Sequence, residues 1–358
     1  MENKTKKIGA LSLSFTVAGC FLGAGYVSGN ELWQYFGCYG IKGIYGLIIN
    51  LALTLIFLSV LIALVRKTGI HEIDRLIIRS NLPVLRKITG ALCVFFMFGI
   101  FVIMSAGAAA LLKNMLKMPE VLGALLFCSI VALFSVFGVK GMVKVFSYVV
   151  PVLSAVCIGI CLYAVLSPGK FDFSASSQNP LLGGYAVSAI NYVSYNLYGT
   201  IGIIAPVALN IKNKRSSVLG VSLGGVILFF TALLIILSLF KNPSASAGEL
   251  PMLDIALKLS GVLGIIYSVL LFLGMFGTSL STLVATQNYF ESKNTFFKAH
   301  RIPCIIALSL TAYAGSLLGF GELISVIYPV CGYLGIITLI LICEHLINVK
   351  IKEKKTHE

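Results

Sequence analysis

The sequence predicts an all-α membrane protein of ten transmembrane helices, arranged as two inverted halves of five. Three observations carry that prediction. Of 358 residues, 58% are hydrophobic and only 11% charged, whereas a soluble domain carries roughly 25% charged residues. Apolar windows of roughly 20 residues, each long enough to span a hydrocarbon core, recur along nearly the whole chain. The basic residues, finally, gather in every second connection. No stretch is long and polar enough for a separate soluble domain, so residues 1–358 read as one transmembrane domain.

The windows lie at about 8–36, 41–65, 88–112, 119–138, 142–166, 184–210, 217–240, 252–288, 303–319 and 323–347. The first holds Gly23-Ala24-Gly25-Tyr26-Val27-Ser28-Gly29-Asn30-Glu31. Three glycines in seven residues are poor helix material, each costing roughly 1 kcal/mol against alanine. A membrane core has no water to satisfy loosened backbone, so such a break survives where it lines a cavity or is buried in protein. The competing reading is a small-residue face that lets a neighbouring helix approach. Val17-Ala18-Gly19-Cys20 resembles a lipoprotein processing box, but the apolar run continues past it, which favours an uncleaved first helix.

Between the second and third windows, Lys67 to Arg86 mixes charge with Ile70, Ile73, Leu76, Ile77 and Ile78. That spacing suits a short helix along the membrane surface, or an ordinary loop helix. The third and eighth windows correspond in position, and the eighth reads as one very long helix that must tilt or project. The sixth carries Asn191-Tyr192-Val193-Ser194-Tyr195-Asn196-Leu197-Tyr198-Gly199-Thr200 with Pro206 following, which predicts a second interruption. Segments 8–166 and 184–348 thus each hold five spans, and five is odd, so the second half lies inverted. Weak segments at corresponding places in two such halves point to the binding site of a transporter.

The net charge of +14 follows from topology. Lys42, Lys113, Lys117, Lys170, Lys241 and Lys258 fall on one side. The other lysines and arginines fall on the side of the termini, among them Lys4, Lys6, Arg66, Arg79, Lys140, Lys212, Arg215, Lys293, Arg301 and Lys350. The positive-inside rule places both termini in the cytoplasm. The partners implied are the lipid bilayer and a small-molecule substrate, with no nucleic acid. Nine cysteines lie in or beside apolar spans without metal-ligand spacing and read as small buried hydrophobes. No cluster of His, Asp and Glu or nucleophile–base arrangement falls within one span, which disfavours an enzyme.

The Gly23–Glu31 run, with Tyr-Val-Ser-Tyr-Asn at 192–196, resembles the YkvI-like bacterial membrane proteins of the amino acid–polyamine–organocation superfamily. The resemblance spans all ten windows, though its specific motifs cover about two dozen residues. It implies the LeuT-type fold, with spans one and six unwound around a mid-membrane site in a bacterial cytoplasmic membrane protein. It implies transport by alternating access, spans 1, 2, 6 and 7 rocking against 3, 4, 8 and 9. Gly23, Ala24, Gly25 and Tyr26 would then hold a substrate carboxylate at an open helix start. Tyr192, Ser194, Tyr195 and Asn196 would add hydroxyl and amide contacts. Thr278, Ser281 and Thr282, with carbonyls of Gly19 and Leu22, would coordinate a sodium ion, the one cofactor expected. Hydroxyls also bond their own helix, which is the plainer reading of that cluster. Lys140 and Lys144 lie only at the inner end of span five, which favours sodium over protons.

Glu31 is the sharpest single residue, because a carboxylate within a span is expensive and marks function. It would receive a substrate ammonium, relay a proton or form a gate pair; otherwise it is a capped carboxylate near an interface with Trp33. Asp254 and Lys258 are spaced to pair on one helix face. Glu322 opens the tenth span as an N-terminal acid, and Pro151 and Pro329 fall within spans five and ten. The leading function is a secondary transporter of a small polar solute, amino-acid-like or amine-like, coupled to sodium or protons. A membrane receptor that keeps the fold without transport is the alternative.

Overall fold

The first apolar segment folds as three helices, not one: α1 (Ala10–Phe21), α2 (Ala24–Ser28) and α3 (Asn30–Tyr35). The computed structural model describes residues 7–70, 73–78, 83–137 and 143–357. Lys4, Lys6, His71, Arg79 and Lys140, and the first residue of the expected fifth span, lie outside the described residues. Gly23 separates α1 from α2 in extended conformation (φ −79°, ψ 174°), and Gly29 separates α2 from α3 with φ 86°. That left-handed angle is open to glycine at no steric cost.

The remaining helices follow the expected windows, with changed ends. They are α4 (Ile41–Thr68), α5 (Ile73–Ile77), α6 (Pro83–Leu116), α7 (Glu120–Phe137), α8 (Val143–Leu166), α9 (Tyr185–Leu209) and α10 (Lys214–Lys241). After them come α11 (Pro243–Ser246), α12 (Pro251–Leu259), α13 (Gly261–Lys293), α14 (Thr295–Ala299), α15 (Arg301–Ser316) and α16 (Phe320–His357). Seven of these, α4, α6, α8, α9, α10, α13 and α16, are long and apolar enough to cross a membrane. The chain is a multi-pass, nearly all-helical membrane protein.

Two expected shapes are corrected. The eighth window is not one long helix: Ser260, extended at φ −164°, divides α12 from α13. The first piece is amphipathic, begins with Pro251 and buries Met252, Leu253, Ile255 and Ala256. The sixth span is continuous, since α9 runs unbroken through Ser194–Gly199. Three of its polar residues turn back on their own helix instead of opening it. Ser194 Oγ donates to Ile190 O at 2.7 Å, Asn196 Nδ2 to Tyr192 O at 3.0 Å and Thr200 Oγ1 to Leu197 O at 3.1 Å.

Packing holds the broken span in the middle of the molecule. The main partner of α1 is α10, α4 and α16 flank α9, and α6 lies along α13. Small residues set these contacts: a methyl on Gly220 or Gly224 would come within 2.8 Å of Leu13 or Val17. Such close approach is how membrane helices gain contact without a hydrophobic drive. The expected surface helix is instead tucked in: Leu76, Ile77 and Ile78 of the α5 region are buried, and Leu76 O meets His345 Nδ1 of α16 at 3.0 Å. Pro329 inside α16 has no N–H to give the carbonyl four residues back. That carbonyl, Ser325 O, is taken by Asn179 Nδ2 at 2.6 Å. Asp254 and Lys258 do not choose each other: Asp254 Oδ1 accepts from Asn114 Nδ2 at 3.2 Å, and Lys258 Nζ donates to Ser244 Oγ at 2.7 Å.

Candidate substrate site at the broken helix

The double break at Gly23 and Gly29 leaves α2 as little more than one turn, wholly buried. Two of its carbonyls are met by side chains. Tyr267 of α13 donates its hydroxyl to Val27 O at 2.5 Å, and Ser28 Oγ donates to Gly25 O at 2.7 Å. Tyr26 points its hydroxyl away, to Leu228 O of α10 at 2.7 Å, and so pins α2. Ala24 packs against α13 at Gly274, where an added methyl would meet it at 3.7 Å.

Beyond Gly29 the chain folds back so that Glu31 returns over the break. Its Oε2 lies 2.7 Å from where a β-carbon on Gly25 would stand. The Tyr195 hydroxyl of α9 donates to its Oε1. Glu31 is 5% exposed. A buried carboxylate far from any cation is costly unless hydrogen-bonded or neutralised.

Rings wall this carboxylate. Tyr192 meets Tyr35 edge-on with centroids 5.1 Å apart and Tyr195 at 5.3 Å. Tyr328 of α16 stacks on Tyr195 at 4.6 Å and an interplanar angle of 16°. Tyr35 donates to Asn191 Oδ1 at 3.1 Å, and Asn191 Nδ2 donates to Pro329 O at 2.9 Å. The Tyr192 hydroxyl is buried without a partner, as is Asn50 Oδ1. Both border a void of about 10 Å³, together with Phe21, Tyr26 and Thr54, which is room for about one water.

Of the residues singled out in the sequence, Gly25, Glu31, Tyr192 and Tyr195 therefore meet at one point, while Ala24 faces Gly274 of α13 and the Tyr26 hydroxyl is turned to α10. Ser194 and Asn196 spend their side chains on α9 itself, and Ser194 O faces α16, 2.6 Å from a would-be methyl on Gly335. Sequence reasoning missed Tyr35, Asn191 and Tyr328 as wall residues. Only Asn191 carried a signal, as the first polar residue of the quoted run in span six.

The hydroxyl cluster sits lower on α13. Thr278 Oγ1, Ser281 Oγ and Thr282 Oγ1 donate to Gly274 O at 3.0 Å, Gly277 O at 2.8 Å and Thr278 O at 2.9 Å. Each oxygen keeps lone pairs free after donating its hydrogen. Gly19 and Ser281 are exposed while Leu22 is buried, and a methyl on Gly19 or Gly23 would meet nothing within 4 Å. The break thus borders open space on the side of α1.

The opposite side is closed by a polar latch. Asn30 Nδ2 donates to Glu249 O at 3.1 Å, and Gln34 Nε2 donates to Asn30 Oδ1 at 2.7 Å and Gly321 O at 3.0 Å. Glu249 Oε1 accepts from Phe320 N at 3.2 Å, and burial pushes its carboxyl above the usual carboxylate range. Above the latch lies a cleft of about 630 Å³ lined by Asn30, Trp33, Gln34, Glu249 and Glu322 among others. Among the described residues no group of three or more His, Cys, Asp and Glu side chains is placed to hold a metal.

No family model matches the chain. It is similar to the membrane protein YkvI of Bacillus subtilis (strain 168), 24% identical over 332 residues that cover 91% of this chain and 93% of YkvI. It is also similar to YyaD of the same organism, 26% identical over 338 residues, covering 90% and 93%. Among solved structures, MhsT in complex with L-phenylalanine aligns with a TM-score of 0.60 at 16% identity, covering 94% of this chain and 89% of MhsT. The inward-facing conformation of Mhp1 aligns at 0.57 and 12% identity, covering 94% and 76%. Coverage of this extent, and the broken first span, make the chain a homologue of the YkvI and YyaD membrane proteins with the LeuT-type transporter fold.

Proposed function

We propose that the chain is a secondary active transporter that carries a small polar organic solute, amino-acid-like or amine-like, across the bacterial cytoplasmic membrane. The observation that carries this reading is the buried Glu31 carboxylate folded over the Gly25 break and bonded by Tyr195. An interrupted helix at mid-bundle supplies unpaired backbone groups and a place to hide a solute from both faces. The solute site comprises Gly23, Ala24, Gly25, Tyr26, Glu31, Tyr192 and Tyr195, while Ser194 and Asn196, expected there from the sequence, bond back to α9. Because α9 is continuous, its share is made by side chains, with the loosened backbone coming from span one.

Alternating access fits two features. The latch of Asn30 and Gln34 shuts the site from the large cleft, while Gly19 and Ser281 are exposed beside α1. We read this as the state facing the termini, which the basic loops place in the cytoplasm. A coupling sodium would sit between the carbonyls of Gly19 and Leu22 and the oxygens of Thr278, Ser281 and Thr282, hard donors that suit a hard cation. Protons are the second coupling choice, with Glu31 as carrier.

Reconstitution tests the reading. Proteoliposomes with an imposed sodium or proton gradient should accumulate a solute first found by its stabilising effect on the purified protein. A solute that binds tightly yet is never accumulated under either gradient would make the chain a transporter-fold receptor instead.

A further inference from the structure

We infer that the solute is an organic cation, an amine or quaternary ammonium that carries no carboxylate of its own. The inference rests on the transporter reading for the solute's passage, but its binding argument is independent of turnover.

The first step is occupancy. The space over the opened turn at Gly25, where a solute carboxylate would be expected, is filled by Glu31 Oε2. A second carboxylate brought there would meet like charge in surroundings with little water to screen it. The site as built therefore repels an acid and attracts a base.

The second step is balance. Glu31 is reached by α2 and α3 of its own span, by α9 through Tyr195, and by α16 through Tyr328; Met104 of α6 stands 3.7 Å from the would-be methyl of Gly25. Residues 8–41, 88–112, 171–211 and 302–349, which contain those contacts, hold no lysine or arginine at all. A buried carboxylate in a bundle interior is ordinarily paired. Among the described residues, the segments that reach Glu31 supply no lysine or arginine as counter-charge, so a bound cation is the natural partner.

The walls are the third step. Tyr35, Tyr192, Tyr195 and Tyr328 crowd around the carboxylate with successive ring centroids 4.6–5.3 Å apart. Aromatic faces beside a desolvated cation attract it through their quadrupole, and such cages are how quaternary ammonium groups are held. For an amine that keeps N–H donors, the Tyr192 hydroxyl oxygen and Asn50 Oδ1 stand buried and unclaimed. The approach has the same sign: among the described residues, Glu249 and Glu322 line the large cleft and no basic side chain does. Lined this way, the cleft raises the local concentration of cations.

Trp33 is the one tryptophan in the chain and lines the large cleft on α3, its ring edge-on to Phe240 at 5.8 Å, so its fluorescence reports movement of α3 on binding. The full-length protein in detergent is titrated with phenethylamine and choline. Parallel titrations use phenylalanine and glycine betaine, which add a carboxylate, and 3,3-dimethylbutan-1-ol, the neutral counterpart of choline. Thermal unfolding is followed alongside. At least one cation should give saturable shifts at concentrations tenfold or more below those needed for its carboxylate-bearing or neutral counterpart. Glu31→Gln should weaken that cation at least tenfold. Should that variant fail to fold, Glu31→Asp, which keeps the charge but retracts it, should retain the cation preference at reduced affinity. Equal or tighter binding of the carboxylate-bearing ligands overturns the inference. So does undiminished cation binding by Glu31→Gln, or no binding of either cation to folded protein. Cation binding without accumulation in vesicles sinks the transporter reading alone; accumulation of phenylalanine sinks this inference alone.

Discussion

Tyr195 donates its hydroxyl to Glu31 Oε1 across 164 residues of chain, tying the sixth span to the turned-back end of the first. The bond makes the carboxylate tolerable in the bundle and holds the two spans that must separate if the site is to open. A hydrogen bond to a buried charged group contributes roughly 1.5–3 kcal/mol. Tyr195→Phe should therefore lower the apparent Tm more than Glu31→Gln does, because it strands the carboxylate while the amide still has a donor and a lower desolvation cost. The double variant should be milder than the sum of the two, since the groups touch. Additive Tm changes in thermal unfolding of all three variants would mean that the pair is not energetically coupled.

The glycines of the break separate by what stands beside them. A methyl at position 25 would overlap Glu31 Oε2 at 2.7 Å, while one at position 23 would meet nothing within 4 Å on a backbone with negative φ. Gly25→Ala should displace the carboxylate and lower solute affinity or uptake by tenfold or more, with normal membrane expression. Gly23→Ala should keep at least half of wild-type uptake. Gly29→Ala places a side chain at φ 86° and should cost about 1–2 kcal/mol in stability. Binding titrations and thermal unfolding of the three variants check the order; equal damage from Gly23→Ala and Gly25→Ala would show that flexibility alone is what the glycines supply.

These contrasts show where the fold was legible in the sequence. The break in span one was, because glycine acts through its own backbone and needs no neighbour to do so. Its second interruption, at Gly29, follows from the same chemistry. The sixth span misled for the opposite reason. Serine, threonine and asparagine can open a helix or bond back to it, and the choice is set by tertiary packing, here Gly332 and Gly335 of α16 lying against Asn191 and Ser194. The eighth window hid its division because Ser260 is an unremarkable residue in an apolar run, and only Pro251 nearby hinted at a helix start. Tyr35 and Tyr328 could not be nominated at all. Single tyrosines in apolar spans look alike until distant helices bring them together.

The hydroxyl cluster on α13 yields a prediction for coupling. Thr278, Ser281 and Thr282 already satisfy their hydrogens on helix carbonyls, so alanine there removes ligand oxygens at little cost to the fold. Ser281→Ala with Thr282→Ala should raise the sodium concentration for half-maximal solute binding about tenfold, and leave Tm in sodium-free buffer within a degree or two. Sodium titrations of solute binding decide it. An unchanged requirement would remove these hydroxyls from the coupling site, and a parent protein indifferent to sodium would leave protons as the coupling ion.

Glu249 makes the latch sensitive to pH. It accepts the Phe320 N–H at the start of α16 while its neighbour Gly248 packs under Asn30. Burial raises its carboxyl above the ordinary range, the charge of Glu120 adds to this, and the N–H groups of Phe320 and Gly321 oppose it. Its folded-state pKa thus exceeds the unfolded one, so between the two the folded protein holds more protons. Stability therefore falls as pH rises through that interval and levels off above it. Asp254, raised by its own burial, contributes with the same sign. Glu249→Gln keeps an acceptor for Phe320 but cannot titrate. The apparent Tm of the wild type should decline as pH rises through and above the usual carboxylate range, and that of Glu249→Gln should decline less, with Asp254 leaving a residual slope. Two parallel curves would show that the Glu249 carboxyl titrates alike in folded and unfolded protein and that the latch does not respond to protons through it.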